Sequence, residues 1–320
     1  MEYYTEQDGY FVIPADSIAT DTTRDFDIYI RVDGKYLFYR SKDIPFGEKE
    51  KEKLKEGSID AVYVDIEDRK KYTDYIEKNL PEILKDPRTS TEKKGGILYF
   101  YSTNLVKEVL KEPRAGKNIE KTQELVKNTV DFLIKGENTF NTLMTLIKSD
   151  YYTYTHSVNV CLFSIALAEK IGMRDKEELN KIGLGAILHD VGKTKIDKDI
   201  INKWGPLVDW EWDIMKKHPE FGVEVCRETN MVPEECYHAI MQHHEKCNGT
   251  GYPKGLKEDE IHMFGKIVSI ADVFDALTTN RSYAFAVKPF PALKIMKDKM
   301  PGSFDIDLLK EFIILLGTQS

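Results

Sequence analysis

All seven histidines of this chain fall between His156 and His262, and two of them, His243 and His244, are adjacent. His156 opens an apolar run with helical spacing that contains Val160, Phe163 and Leu167. His189-Asp190 closes another, with Ile182, Ala186 and Ile187, and His243-His244 follows Ala239, Ile240 and Met241. His218 stands between Met215-Lys216-Lys217 and Pro219. Asp272 lies inside the apolar run Ile267 to Ala271, where a carboxylate is costly to bury without a partner. A fold that uses these residues together must bring several helix ends to one point. Gly192, two residues past Asp190, reads as the positive-φ residue that closes its helix.

The donor types point to a metal. Imidazole and carboxylate together suit iron, manganese or zinc, whereas an all-oxygen set would indicate magnesium or calcium. Neighbouring side chains on a helix diverge by about 100°, so His243 and His244 either serve one enlarged site or face different neighbours. A carboxylate such as Asp190 can bridge two ions, and ions about 3.5 to 4 Å apart suit in-line displacement at phosphorus. Lys193, three residues past Asp190, is placed to stabilise developing charge on a phosphate oxygen. His238 and His262 match no ligand position and read as structural.

At 320 residues the chain is long enough for two domains. Tyr10 to Ile13, Phe26 to Val32, Lys35 to Arg40 and Ala61 to Val64 are rich in β-branched and aromatic residues, and Asp33-Gly34 between two of these runs is a hairpin signal. Residues 48 to 57 and 69 to 85 read as helical, so residues 1 to 90 form a small α+β domain with a polar linker over 85 to 96. From Ile97 the spacing stays helical, and residues 91 to 320 are expected to be all-α. The net charge of −8 argues against a broad DNA-binding surface. The four cysteines, with no C-x-x-C spacing, read as reduced thiols. No apolar run approaches the ~20 residues of a membrane span, and the chain opens without a signal-peptide pattern, so a cytoplasmic location is expected.

Residues from about 140 to 316 resemble an HD-GYP domain, a branch of the HD metal-dependent phosphohydrolases. The matching blocks run in order: Tyr152-Thr-Tyr-Thr-His156, His189-Asp190-Val-Gly192-Lys193, Met215-Lys-Lys-His218-Pro219, His243-His244-Glu245, Gly249-Thr-Gly251-Tyr252-Pro253, Asp272-Val-Phe-Asp275, and Arg281-Ser-Tyr283. The resemblance implies an HD-type helical domain that hydrolyses cyclic di-GMP to pGpG, and onward to GMP, with water activated between metal ions. It implies that His156, His189, Asp190 and Asp272 hold one metal, and that Asp190 bridges to a second held by His218 with His243, His244 or both. It gives Lys193 a phosphate contact, sets Asp275, Arg281 and Tyr252 in the substrate site, and makes the Gly249–Pro253 loop a border of that site or a contact for a signalling partner such as a diguanylate cyclase. Homodimerisation through the helices after Ile97 is a further expectation.

Some relatives build a third metal position from a glutamate four residues before the first histidine. Tyr152 stands there, so two ions, iron or manganese, are expected. Asn248 replaces an aspartate before the first loop glycine, Ala284 stands where a second cation is common, and Lys195-Ile196-Asp197 replaces a usual Ile-Pro. Asn248 and Ala284 support the competing reading, a receptor that binds the dinucleotide without cleaving it. A third reading is hydrolysis of another nucleotide, including a hybrid cyclic dinucleotide. The first 90 residues carry no motif tied to chemistry and read as a sensory or interaction domain.

Overall fold

The structure is a computed structural model and describes residues 3–135, 139–147, 153–279 and 286–317. Tyr152, Arg281, Tyr283 and Ala284, named above, lie outside the described residues. The chain divides into two units, Met1–Tyr101 and Ser102–Ser320.

In the first unit, strands β1 (Glu6–Gln7), β2 (Tyr10–Pro14), β3 (Ile28–Val32), β4 (Lys35–Arg40) and β5 (Ala61–Asp65) form one antiparallel sheet in the order β1-β2-β5-β3-β4. The β3–β4 hairpin closes on Asp33-Gly34, both at positive φ (49° and 79°), with Val32 opposite Lys35. That pair of left-handed residues gives a two-residue turn whose twist matches its strands. Helices α1 (Glu48–Glu56) and α2 (Arg69–Lys85) complete the α+β unit. Alternation along β2 puts Phe11 against Tyr72 of α2 (ring centroids 5.9 Å), while Val12, on the opposite face, joins Tyr63 among Tyr10, Tyr29 and Tyr36.

The polar stretch over 85 to 96 is shorter as a connection than its composition suggests, because helix α3 (Thr91–Lys111) begins inside it and the units divide at Tyr101. The reason is packing. Ile97 and Leu98 are buried, and the Phe100 ring stacks on Tyr4 at 4.2 Å and lies 5.8 Å from Phe11 and Tyr72. The first half of α3 therefore belongs to the core of the first unit.

The second unit is helical throughout its described residues, apart from an isolated bridge between Asn248 and Lys257. After α3 come α4 (Gly116–Leu133), α5 (Thr139–Leu146), α6 (Thr153–Lys170) and α7 (Lys176–Leu188), then α8 (Lys198–Ile201), α9 (Asp209–Met215) and α10 (His218–Thr229). The series ends with α11 (Cys236–Gln242), α12 (Met263–Thr278), α13 (Pro289–Lys299) and α14 (Ile306–Gly317). Among the described residues no helix is long and apolar enough to cross a membrane.

Helix α7 is buried on every side from Ile182 to Leu188 and packs on α4, α6 and α11. A helix without a polar face belongs in the middle of a core, and its end delivers His189 there. Phe163 of α6, Phe274 of α12 and Phe312 of α14 form a buried edge-to-face triad with centroids 5.1 to 5.9 Å apart. Phe163 lies two turns from His156 and Phe274 two residues from Asp272, so the triad sets those helices in register.

Gly192 corrects an expectation: it is not among the residues with positive φ and does not close α7 by that means. A Cβ at this position would lie 1.9 Å from the His218 carbonyl oxygen and 2.4 Å from the Gly222 nitrogen. The glycine is required because the turn after Asp190 touches the backbone of α10.

Candidate metal centre

Three of the histidines are placed by the same local device. His189 Nδ1 lies 2.7 Å from the Ala186 carbonyl, His218 Nδ1 2.8 Å from that of Met215, and His243 Nδ1 2.9 Å from that of Ile240. In each case the carbonyl is three residues earlier, in the last turn of a helix, where carbonyls keep capacity for a further partner. A carbonyl only accepts, so each Nδ1 carries the proton and each Nε2 presents a lone pair. His156 follows the same rule with a side chain: its Nδ1 donates to Oδ2 of Asp275 at 2.6 Å.

The Nε2 atoms converge on two carboxylates. Asp190 Oδ2 lies 3.4 Å from His189 Nε2 and 3.8 Å from His156 Nε2, whereas its Oδ1 lies 3.4 Å from His218 Nε2 and 4.0 Å from His243 Nε2. Asp272 Oδ1 is 3.1 Å from His156 Nε2 and its Oδ2 is 3.6 Å from His244 Nδ1. Two donor groups result: His156, His189 and Asp272 in one, and Asp190, His218, His243 and His244 in the other. His243 and His244 thus fall in one group. His243 is fully buried, while a quarter of the His244 side chain remains exposed.

Electrostatics agree with neutral imidazoles at His218, His243 and His244 beside ionised Asp190 and Asp272. Burial pushes the His218 pKa down to about 3 and that of His244 down to about 4, and holds His243 well below the usual histidine value. Burial opposes ionisation of Asp190, yet the Lys193 ammonium beside it holds its carboxyl well below the ordinary range. Asp272 too is held well below the ordinary range against the opposing effect of burial. Lys193 Nζ lies 2.6 Å from Asp190 Oδ2.

A divalent ion fits this donor set on three counts. His189 Nε2 and Asp190 Oδ1 are buried without a hydrogen-bond partner, an arrangement that costs roughly 1–3 kcal/mol for each such group. His218 Nε2 and His243 Nε2, both lone-pair atoms, face each other at 3.1 Å. Two lone pairs this close repel each other, and a shared cation would relieve that repulsion. The mixed nitrogen and oxygen chemistry suits first-row transition metals.

Asp275, expected in the substrate site, lies against His156. It is completely buried, and its oxygens are taken by His156 and by Asn159 Nδ2 (2.8 Å). It stands behind a candidate ligand and orients it. Asn159 escaped the sequence reading because an asparagine one turn past a histidine carries no signal of its own.

The Tyr252 ring stacks on His244 at 4.7 Å and lies 6.3 Å from His218. Its loop hangs on Glu245, a buried carboxylate that accepts from Lys254 N (2.7 Å) and Leu256 N (3.0 Å). Asn248 Oδ1 accepts from Thr250 N (3.0 Å) and Thr250 Oγ1 (2.7 Å), a task an amide performs without the charge of an aspartate. Asp197 caps α8 by accepting from Asp199 N (2.9 Å), and Ile196 is buried, which accounts for that loop. His262 caps α12 by accepting from Phe264 N (3.1 Å), and its ring stacks on His238 at 4.2 Å. The cysteines are free thiols.

The profile of the HD domain family matches residues 137–308. Over 218 residues the chain is 33% identical to the cyclic di-GMP phosphodiesterase PA4108 of Pseudomonas aeruginosa, a match covering 66% of this chain and 51% of that protein. Over 132 residues it is 42% identical to the 3'3'-cGAMP-specific phosphodiesterase 2 of Vibrio cholerae, covering 41% of this chain and 25% of that protein. The chain therefore spans about half the length of the first and a quarter of the second. The fold is similar to that of Bd1817, an HDG"Y"P protein of Bdellovibrio bacteriovorus, with a TM-score of 0.68, 23% identity and coverage of 96% of this chain and 99% of that one.

Proposed function

Because the chain belongs to the HD domain family, we propose that it is a phosphodiesterase that opens cyclic di-GMP to linear pGpG, with GMP the product of a second cleavage. The observation that carries this reading is the division of the Asp190 carboxylate, one oxygen toward each group of imidazoles. His156, His189, Asp190 and Asp272 would hold one ion, and Asp190, His218, His243 and His244 a second, with iron or manganese the metals that suit these donors. When bound, such a pair supplies Lewis acidity at phosphorus and activates water near neutral pH.

The chain's own groups supply the rest. Lys193, about a quarter exposed beside Asp190, is a cation within reach of a phosphate oxygen as it gains charge. Tyr252 remains a protonated donor, since burial pushes its phenol up. With His244 it forms the wall by which a substrate reaches the buried imidazoles. Arg281 would be a further substrate contact, as the family resemblance implies.

Turnover tests the reading directly. Metal-loaded protein incubated anaerobically with cyclic di-GMP should yield pGpG by chromatography, with no product from Asp190→Ala. Tight binding without product would leave a receptor. The 42% identity to a 3'3'-cGAMP-specific relative supports hydrolysis of the hybrid dinucleotide as a second reading, decided by comparing kcat/KM for the two substrates.

We further propose a cytoplasmic homodimer whose Gly249–Pro253 loop meets a signalling partner and whose first 90 residues sense a ligand. The absence of a membrane-crossing helix among the described residues is consistent with that location. Light scattering that returned a monomer at every concentration would remove the dimer.

A further inference from the structure

The three tryptophans of the chain, Trp204, Trp210 and Trp212, lie within nine residues, and all are exposed, by 85%, 60% and 45%. Tryptophan is the costliest side chain to leave in water, and a cluster of exposed aromatics marks a binding surface. The three are not equivalent. Trp210 and Trp212 stand two positions apart on α9, so their side chains diverge by about 200°. Trp212 is the one turned to the metal centre: its ring meets Tyr252 at 6.1 Å and 74°. Tyr252 in turn lies almost parallel to His244, at 4.7 Å and 30°. A continuous aromatic path thus runs from a candidate metal ligand to a half-exposed indole.

We infer that Trp212 is a specificity-determining residue that stacks a purine base of the cyclic dinucleotide while the scissile phosphate lies at the imidazole cluster. The inference rests on the proposed phosphodiesterase reading and names the contact that reading lacks. A dinucleotide carries each base one sugar away from its phosphate, so a phosphate at the metal centre must place a flat π-face beside it. The Tyr252–Trp212 corner offers one ring roughly edge-on to the other, which holds a base against the indole and closes its edge with the phenol. Indole stacking accepts any purine, so Trp212 selects for a nucleotide over a simple phosphodiester and leaves the choice between guanine and adenine to other groups. The path begins on His244 itself, which favours the substrate over a protein partner as the occupant.

The test uses the full metal-loaded chain. A stacking contact made equally in ground and transition states acts on KM and not on kcat. Trp212→Ala should raise KM for cyclic di-GMP by on the order of tenfold or more, with bound metal retained and the loss confined to KM, and Trp212→Phe should recover most of it. Trp210→Ala should behave as wild type. In a Trp204→Phe, Trp210→Phe background, cyclic di-GMP should quench the remaining indole emission. Wild-type turnover together with an unchanged KM in Trp212→Ala and no quenching overturns this inference alone. Loss of metal, or a fall in kcat matching the rise in KM, assigns Trp212 a structural role and also overturns it. No turnover and no binding by wild type overturns the phosphodiesterase reading and this inference with it.

Discussion

His156 donates from Nδ1 to Oδ2 of Asp275 at 2.6 Å, and both groups are buried. A carboxylate behind an imidazole fixes its tautomer and raises its basicity, and loss of such a partner commonly costs 10- to 100-fold in metal affinity. Asp275→Ala should therefore weaken metal binding by about that factor, as measured by titration against a competing chelator. An unchanged metal affinity with a raised substrate KM would return Asp275 to the substrate site.

Metal should stabilise the folded protein, because the donor groups are assembled only there. At a free ion concentration of 100 times Kd the gain is about 2.7 kcal/mol per site. Chelation should lower the thermal midpoint, and manganese should restore it in proportion to the logarithm of its concentration. His189→Ala should blunt that response; a full response in this variant would place the ion elsewhere.

Gly192→Ala forces a Cβ to within 1.9 Å of the His218 carbonyl, and neither backbone can yield cheaply. The expected cost is at least about 1–3 kcal/mol, read from denaturant midpoints. Because the displaced element begins with His218, the variant should also retain less metal than wild type. Wild-type stability and stoichiometry together would show that the turn relaxes freely.

Phe274→Ala removes one ring of the triad that joins α6, α12 and α14. A buried Phe→Ala change costs about 3–5 kcal/mol. Metal affinity should fall as well, since His156 and Asp272 lie on the two helices that lose register. Equilibrium unfolding and metal titration of the same preparation would separate the two effects, and a stability loss with affinity intact would limit the triad to the core.

Much of the site is legible in the residues because histidines at the ends of apolar helical runs are an unusual placement. His189 and His243 lie at such ends, and the last-turn carbonyls there are what orient them. The β3–β4 hairpin was equally plain, since Asp33-Gly34 can take positive φ at little cost. Other features had no local sign. The role of Asp275 depends on a contact 119 positions away in sequence, and that of Gly192 on α10 crossing behind it. The division at Tyr101 was hidden because helical spacing continues through it, while the packing partners of Phe100 lie in the first hundred residues.

Three of the four buried imidazoles are oriented by backbone carbonyls and one by a carboxylate side chain. A carbonyl survives every substitution at its position, so single-residue change cannot strip His189, His218 or His243 of its orienting partner without disturbing the helix end itself. His156 alone depends on a residue that mutation can exchange. Heritable variation can therefore tune the half of the centre that contains His156 in small steps, whereas the half built on His218 and His243 is open mainly to loss. Divergence in metal preference within such a fold should accordingly start at position 275.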